Sequence, residues 1–383
     1  MKYRLEELVD LQIGRTPPRK EFEWFNTNGE GYKWVSIKDM GNSGRFISDT
    51  SEYLTEAAQK RFGIPIVEKG TLLLSFKLTV GRLCITTDRM LTNEAIAQLP
   101  IKDTNIVDRD FLYYYLKNYN FHQLGSTSSI ATAINSTYLK KMEIDLPPID
   151  QQRAIAAVLS SIDDKIESNN AINNNLEQQA LALYQRLFVD DLSSNWGNGT
   201  LSDLADITMG QSPSGSSYNE DGIGTIFFQG RAEFGARFPS IRLYTTEPKR
   251  MAYANDTLMS VRAPVGDLNV AHTNCCIGRG LAAIHSKTNH QSFVLYTMFS
   301  LKKQLDVFNG EGTVFGSINK DSLSAMPIII PPNAIMDEFE SIVAPMDLMI
   351  RNNYDEICRL QSIRDGLIPR LLAGEIDITD VVI

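Results

Sequence analysis

Two long stretches of the chain place hydrophobic residues at a spacing of seven. In the first, Ile155, Ile162, Asn169, Leu176 and Leu183 form one row. Leu159, Ile166, Asn173, Ala180 and Leu187 form another, four places on. In the second stretch, Phe339, Met346, Asn353, Leu360 and Leu367 are joined by Val343, Ile350, Ile357, Arg364 and Leu371. A period of 3.5 kept for about five heptads predicts a long helix whose seam is covered by a second helix. Asn169 and Asn353 hold the same mid-seam position, where a polar residue costs stability but fixes register. Each stretch opens on a double proline, Pro147-Pro148 and Pro331-Pro332, which suits the residues just before a helix. Pro345 predicts a kink early in the second helix. The alternative, two amphipathic helices each packed on its own domain, fits the long seam and the matched asparagines less well.

The segments ahead of the helices have a different pattern. Short strand-like runs (YKWVSI, LLLSF, AIAQL; TIFFQ, LAAIH) alternate with Gly, Asn and Ser clusters, and one helix-like run spans 108–124, so a loop-rich α/β (α+β) body is expected. These segments also repeat each other. LEELVDLQIGRTP (5–17) recurs as LSDLADITMGQSP (201–213), and IKDMGNSGRFIS (37–48) as GRAEFGARFPS (230–240). YLTE (53–56) answers YTTE (244–247), LLSFKLTVGRL (73–83) answers LMSVRAPVGDL (258–268), and FLYYYL (111–116) answers FVLYTM (293–298). AINSTYLKKMEIDLPP (133–148) answers SINKDSLSAMPIIIPP (317–332). Such matches in one order make the chain two tandem copies of one unit.

Topology then sets a direction. The second compact segment starts where the first helix ends and closes where the second begins, and domain termini usually lie close together. The helices are therefore expected to run antiparallel, as a two-helix coiled coil between two similar heads related by a pseudo-twofold axis. Residues 155–187 would span ~50 Å at helical rise. Paired heads at such a spacing suit duplex DNA, whose major groove returns to one face every ~34 Å.

A net charge of −9 argues against such a ligand until it is divided along the chain. Residues 1–146 carry 19 basic and 18 acidic groups, and residues 200–330 carry 11 of each. The acidic excess lies in 147–199 (3 basic, 7 acidic) and 331–383 (4 basic, 10 acidic), so a basic face on each head is compatible with it. No run approaches the ~20 apolar residues of a membrane helix, and no apolar signal core follows the charged start. Cys84, Cys275, Cys276 and Cys358 form no CxxC, so reduced thiols and a cytoplasmic location are expected, with no metal and no membrane.

The repeat itself selects candidate DNA contacts. Three basic positions match between copies: Lys38 with Arg231, Arg45 with Arg237, and Lys77 with Arg262. Matched cations are best read as phosphate contacts, since two half-sites differ in sequence. Arg82 and Arg279 lack a basic counterpart and are candidates for half-specific reading. The loops GSTSS (125–129, with Ser128) and NGEGTVFGS (309–317) offer small donors and backbone amides to phosphate. No catalytic set accompanies them. The double prolines are not an amino-methyltransferase motif, GxGxxG and GxxxxGK settings are missing, and His122, His272, His285 and His290 stand without partners at nucleophile or ligand spacing. Asp163 and Asp164 read as solvated helix positions rather than metal ligands.

LPPIDQQRAIAAVLSSIDDKI, LALYQRLF, the paired G-x-x-P elements and LLSFKLTVG resemble the specificity (S) subunits of type I restriction–modification enzymes along essentially the whole chain. The resemblance implies target-recognition domain 1 (1–147), spacer helix 1 (148–190), a linker (191–199), target-recognition domain 2 (200–331), spacer helix 2 (332–374) and a C-terminal tail (375–383). It further implies a non-catalytic subunit that reads a bipartite site in double-stranded DNA and docks two adenine methyltransferase (M) subunits and, through them, restriction (R) subunits. S-adenosylmethionine, ATP and Mg would be bound by those partners, with no cofactor here. Two departures stand out: Asp150 occupies a position near IDQQ where the family usually has Glu, and PPNAIMDEF keeps less of the pattern. A pseudosymmetric protein-binding scaffold that reads no DNA is the alternative.

Overall fold

The computed structural model describes residues 1–121, 134–191, 196–309, 316–376 and 378. The chain divides into two compact units, Met1–Asn169 with Glu356–Ile383, and Asn170–Asp355. The architecture is a duplicated mixed α/β (α+β) fold with two long helices, and each unit takes in a segment of both helices.

In the first unit, Lys2–Arg4 pairs antiparallel with Glu143–Asp145, bringing the ends of the globular segment together. A five-stranded sheet runs in the order Gln12–Ile13, Ile96–Leu99, Leu72–Ser75, Leu83–Thr86, Phe46–Ile47. A four-stranded sheet has the order Phe25–Asn26, Glu52–Leu54, Tyr32–Val35, Met90–Thr92. LLLS (72–75) and IAQL (96–99) are buried at every position, as suits central strands covered on both faces. The helix expected over 108–124 is shorter, Arg109–Lys117, capped by Asp108, whose carboxylate accepts the Asp110 and Phe111 amides. Asn118 closes it, a residue whose side chain competes with helical hydrogen bonding.

The second unit repeats this plan. Gly197–Thr200 pairs with Pro327–Ile330. A four-stranded sheet is ordered Ala205–Met209, Leu281–Ser286, Thr257–Ser260, Leu268–Val270. A five-stranded sheet is ordered Tyr218–Asn219, Leu243–Thr245, Thr225–Phe228, Cys275–Ile277, Met251–Ala252. The helix Gln291–Ser300 stands where Arg109–Lys117 stands in the first copy.

The long helices are Ile149–Gln185, continued by a π-helical turn at Arg186–Asp190, and Asn333–Leu372. Pro345 lies exposed within the second helix and does not end it. Within each unit the two helix segments run antiparallel. In the first, Asn169 donates to Glu356 at 2.7 Å and Arg364 to Asp163 at 2.6 Å. In the second, Asn353 donates to Asn173 at 2.8 Å and Asn173 to the Ile350 carbonyl at 3.4 Å. Each matched asparagine thus finds a different polar partner, which satisfies groups that would otherwise be costly to bury.

The seam is shared between helix and domain. Ile155 and Leu159 join the core of the first globular segment, with Leu367 and Leu371. Phe339, Val343, Ile350 and Ala180 join the core of the second, with Leu176, Leu183 and Met346 packed beside them. Among the described residues, Ile162, Ile166, Ile357, Leu360 and Leu367 form a cluster made by helix residues alone. A sevenfold apolar row is satisfied equally by a helix or by a domain surface, so its period alone does not reveal this division.

Candidate nucleic-acid interface

The arginines that match most closely turn inward. The Arg45 side chain is 5% exposed and is held by Asp110 at 3.0 Å and Asp164 at 3.2 Å. Its own amide reaches Glu167 at 3.2 Å. Arg237, 11% exposed, donates to Glu177 at 2.8 Å and to Asp347 at 2.5 Å. Both guanidiniums are thereby committed to carboxylates, three of these four on the long helices, and are withdrawn from the candidate DNA contacts. One tyrosine completes each junction. Tyr114 donates to Asp163 at 2.7 Å and Tyr296 to Asp347 at 3.1 Å, equivalent residues of the two copies. Burial, aided by those aspartates, pushes both hydroxyls up, so they remain donors. Burial works against the Asp110 charge, but Arg109 and Arg45 more than offset it and hold the carboxyl below the usual range. Burial lifts Glu167 above its usual range. Asp163 is therefore not a solvated helix position: at 4% exposure it is a buried acceptor. Among the described residues, no group of His, Cys, Asp and Glu could hold a metal ion. His272, His285 and His290 each meet a carboxylate, at Asp355, Asp256 and Asp337.

The remaining candidates gather around one loop in each unit. In the first, Ser75 Oγ donates to the Thr79 carbonyl at 2.5 Å and accepts the Arg82 amide at 2.9 Å. In the second, Ser260 Oγ donates to the Pro264 carbonyl at 2.7 Å and accepts the Asp267 amide at 3.0 Å. Gly81 (φ 91°) and Gly266 (φ 85°) close these turns in a conformation that favours glycine. The S-x-[KR]-x-x-V-G spacing therefore builds a self-bonded loop that presents Lys77 and Arg262 at equivalent places. Lys77 lies over the Phe76 ring at 5.2 Å, and Arg262 is exposed.

Other cations border these loops. Arg82 packs on Gly41 and donates to the Ile37 carbonyl at 2.5 Å, which brings the exposed Lys38 and its helix Ile37–Asn42 beside the loop. Arg231 bonds to Asp267, tying the turn Arg231–Glu233 to the second loop. Val261 donates to the Gly280 carbonyl at 2.9 Å, which sets the exposed Arg279 next to Arg262. Lys38, Lys77 and Arg82 thus form one group and Arg231, Arg262 and Arg279 another. Ser128, with the 125–129 loop, lies outside the described residues, as does the 309–317 loop apart from Asn309, Gly316 and Ser317.

Two residues at these loops escape a search for matched cations. Asp267 occupies the place of Arg82, and Glu94, bonded to Thr16, occupies the place of Arg279. The readable signal was VGRL against VGDL: one scaffold with its charge reversed.

Known proteins share this organisation. The family described as "Type I restriction modification DNA specificity domain" matches residues 1–178 and 193–351. A Methanocaldococcus jannaschii protein described as the MjaX specificity subunit of a type I restriction enzyme is 32% identical over 294 residues, covering 71% of this chain and 69% of its own. The MjaIX specificity subunit of the same organism is 25% identical, covering 99% and 94%. The crystal structure of a type I restriction–modification S subunit from M. genitalium shares the fold, with a TM-score of 0.62 at 16% identity, over 97% of this chain and 95% of that one. With both copies matched by the family and the repeat visible in sequence and fold, the chain belongs to the type I restriction–modification DNA specificity family.

Proposed function

We propose that the chain is the DNA-recognition subunit of a type I restriction–modification complex and performs no chemistry itself. Each unit reads one half of a bipartite site in double-stranded DNA. The long helices set the spacing and dock two adenine methyltransferase subunits, through which restriction subunits join. S-adenosylmethionine, ATP and Mg belong to those partners. The observation that carries this reading is the duplicated loop: its scaffold and its cation, Lys77 or Arg262, are shared, while neighbouring charges are reversed at Arg82/Asp267 and Glu94/Arg279. Shared cations suit the phosphate backbone, which is the same in any sequence, and charges that differ between the copies suit two half-sites that differ in sequence.

Lys77→Ala combined with Arg262→Ala is expected to weaken binding to specific and non-specific duplexes alike. The slope of log affinity against log salt should fall by about 2, near 0.9 for each lost phosphate contact. Titrating the methyltransferase complex against duplex DNA at several salt concentrations measures both. Unchanged affinity and slope would remove these loops from the DNA contact and favour the protein-binding scaffold.

A further inference from the structure

We propose that Arg231 reads a guanine in the half-site of the second unit, and that Asp267 is the positioning residue that aims it. The inference rests on the DNA-recognition reading above and extends it to one base pair.

Geometry separates Arg231 from Arg45, Arg237 and Arg82. Arg45 is held by both terminal nitrogens, Nη1 on Asp164 and Nη2 on Asp110. Arg237 is likewise spent, Nη1 on Glu177 and Nη2 on Asp347. Arg82 gives Nη1 to the Ile37 carbonyl. Arg231 bonds Asp267 through Nε, and among the described residues no hydrogen bond engages its two terminal nitrogens. Its side chain is 57% exposed. A guanidinium held at Nε cannot swing freely, yet keeps the Nη fork that guanine's O6 and N7 accept in the major groove. Ordering this fork beforehand spares part of the rotamer entropy that an unrestrained arginine loses on binding.

Asp267 is placed to orient rather than to read. Its Oδ2 takes Arg231, and its Oδ1 lies 3.5 Å from Lys302 Nζ. With both oxygens engaged by cations, the carboxylate has little left to offer an exocyclic amine of a base. Arg231, Asp267 and Lys302 together line a depression of about 470 Å³, with Phe234 and Phe299 in its wall. The first unit lacks the device. Lys38 stands in the place of Arg231 and Arg82 in that of Asp267, and an ammonium is a point charge with no planar fork. A pair present in one copy only is what two different half-sites require.

The test expresses the chain with its methyltransferase partner in a host lacking other adenine methylation, and maps methylated sites by single-molecule sequencing. Exchanging residues 200–330 for the same segment of a relative assigns the half-site of the second unit. The wild-type half-site is expected to contain a G·C pair whose identity is relaxed on the order of 10- to 100-fold in Arg231→Lys. Asp267→Asn should relax the same base pair, less strongly, while the other half-site and the gap persist and report a folded complex. An unchanged motif in both variants overturns the proposal. So does uniformly weaker methylation of an unaltered motif, which would make Arg231 a phosphate contact. A wild-type complex that yields no bipartite motif overturns the DNA-recognition reading itself, and this inference with it.

Discussion

Arg237→Ala is expected to destabilise the second unit by about 3 kcal/mol, and Arg45→Ala the first unit by clearly less. Removing one member of a buried ion pair leaves the other charge uncompensated, which typically costs about 3–5 kcal/mol. Glu177 and Asp347 retain 27% and 19% exposure, so water recovers part of that cost and the lower end of the range applies. Arg45 faces Asp164, which is 64% exposed, and Asp110, so less is left unpaired when it goes. Arg237→Lys should fall between wild type and alanine, because lysine keeps the charge but cannot reach two carboxylates as a planar fork. Native-state hydrogen exchange across Gln291–Ser300 and the adjoining turns of the second long helix measures the loss locally, without assuming that the whole chain unfolds in one step. A cost under about 1 kcal/mol would mean that water replaces the guanidinium readily. Arg237 would then return to the candidate DNA contacts.

The fate of the matched arginines explains how much was legible in the sequence. A duplication preserves what both copies need, and both need the same fold. Arg45 and Arg237 match because each ties its globular segment to carboxylates on the long helices, and Tyr114 and Tyr296 match for the same reason. A match between the copies therefore marks the joints as well as the loops that present Lys77 and Arg262. Lys77 and Arg262 also match, and only their loop geometry sets them apart. Residues that must differ, such as Arg82 and Asp267, show up as mismatches and need the fold before they can be compared. The two long helices were legible because the 3.5 period and the double prolines act locally. Their partner was not, since an apolar seam looks the same whether a helix or a sheet-backed domain covers it.

That distinction has a measurable consequence at Phe339, where alanine is expected to cost about 3–5 kcal/mol. Phe339 holds a seam position and is fully buried. Its ring lies 5.3 Å from Phe188, 5.9 Å from Tyr184, 6.0 Å from Tyr296 and 6.2 Å from Phe293. These rings come from the first long helix and its π-helical turn and from the helix Gln291–Ser300, so the side chain joins three elements at once. Truncation loses the transfer free energy of a phenyl group and opens a cavity that stiff aromatic neighbours cannot collapse to fill. Leu360, at the equivalent seam position three heptads on, packs only with helix residues and is partly exposed. Leu360→Ala should therefore cost no more than about half as much, because a partly solvated site has less apolar area to lose and can relax. Denaturant titration of both variants, read by hydrogen exchange in the helix segments around each site, makes the comparison. Equal costs would mean that the seam is one uniform coiled coil along its length. A loss concentrated at Phe339 would mean that the second globular segment and its helices form a single core, so that a reading head cannot rock on its spacer without breaking it.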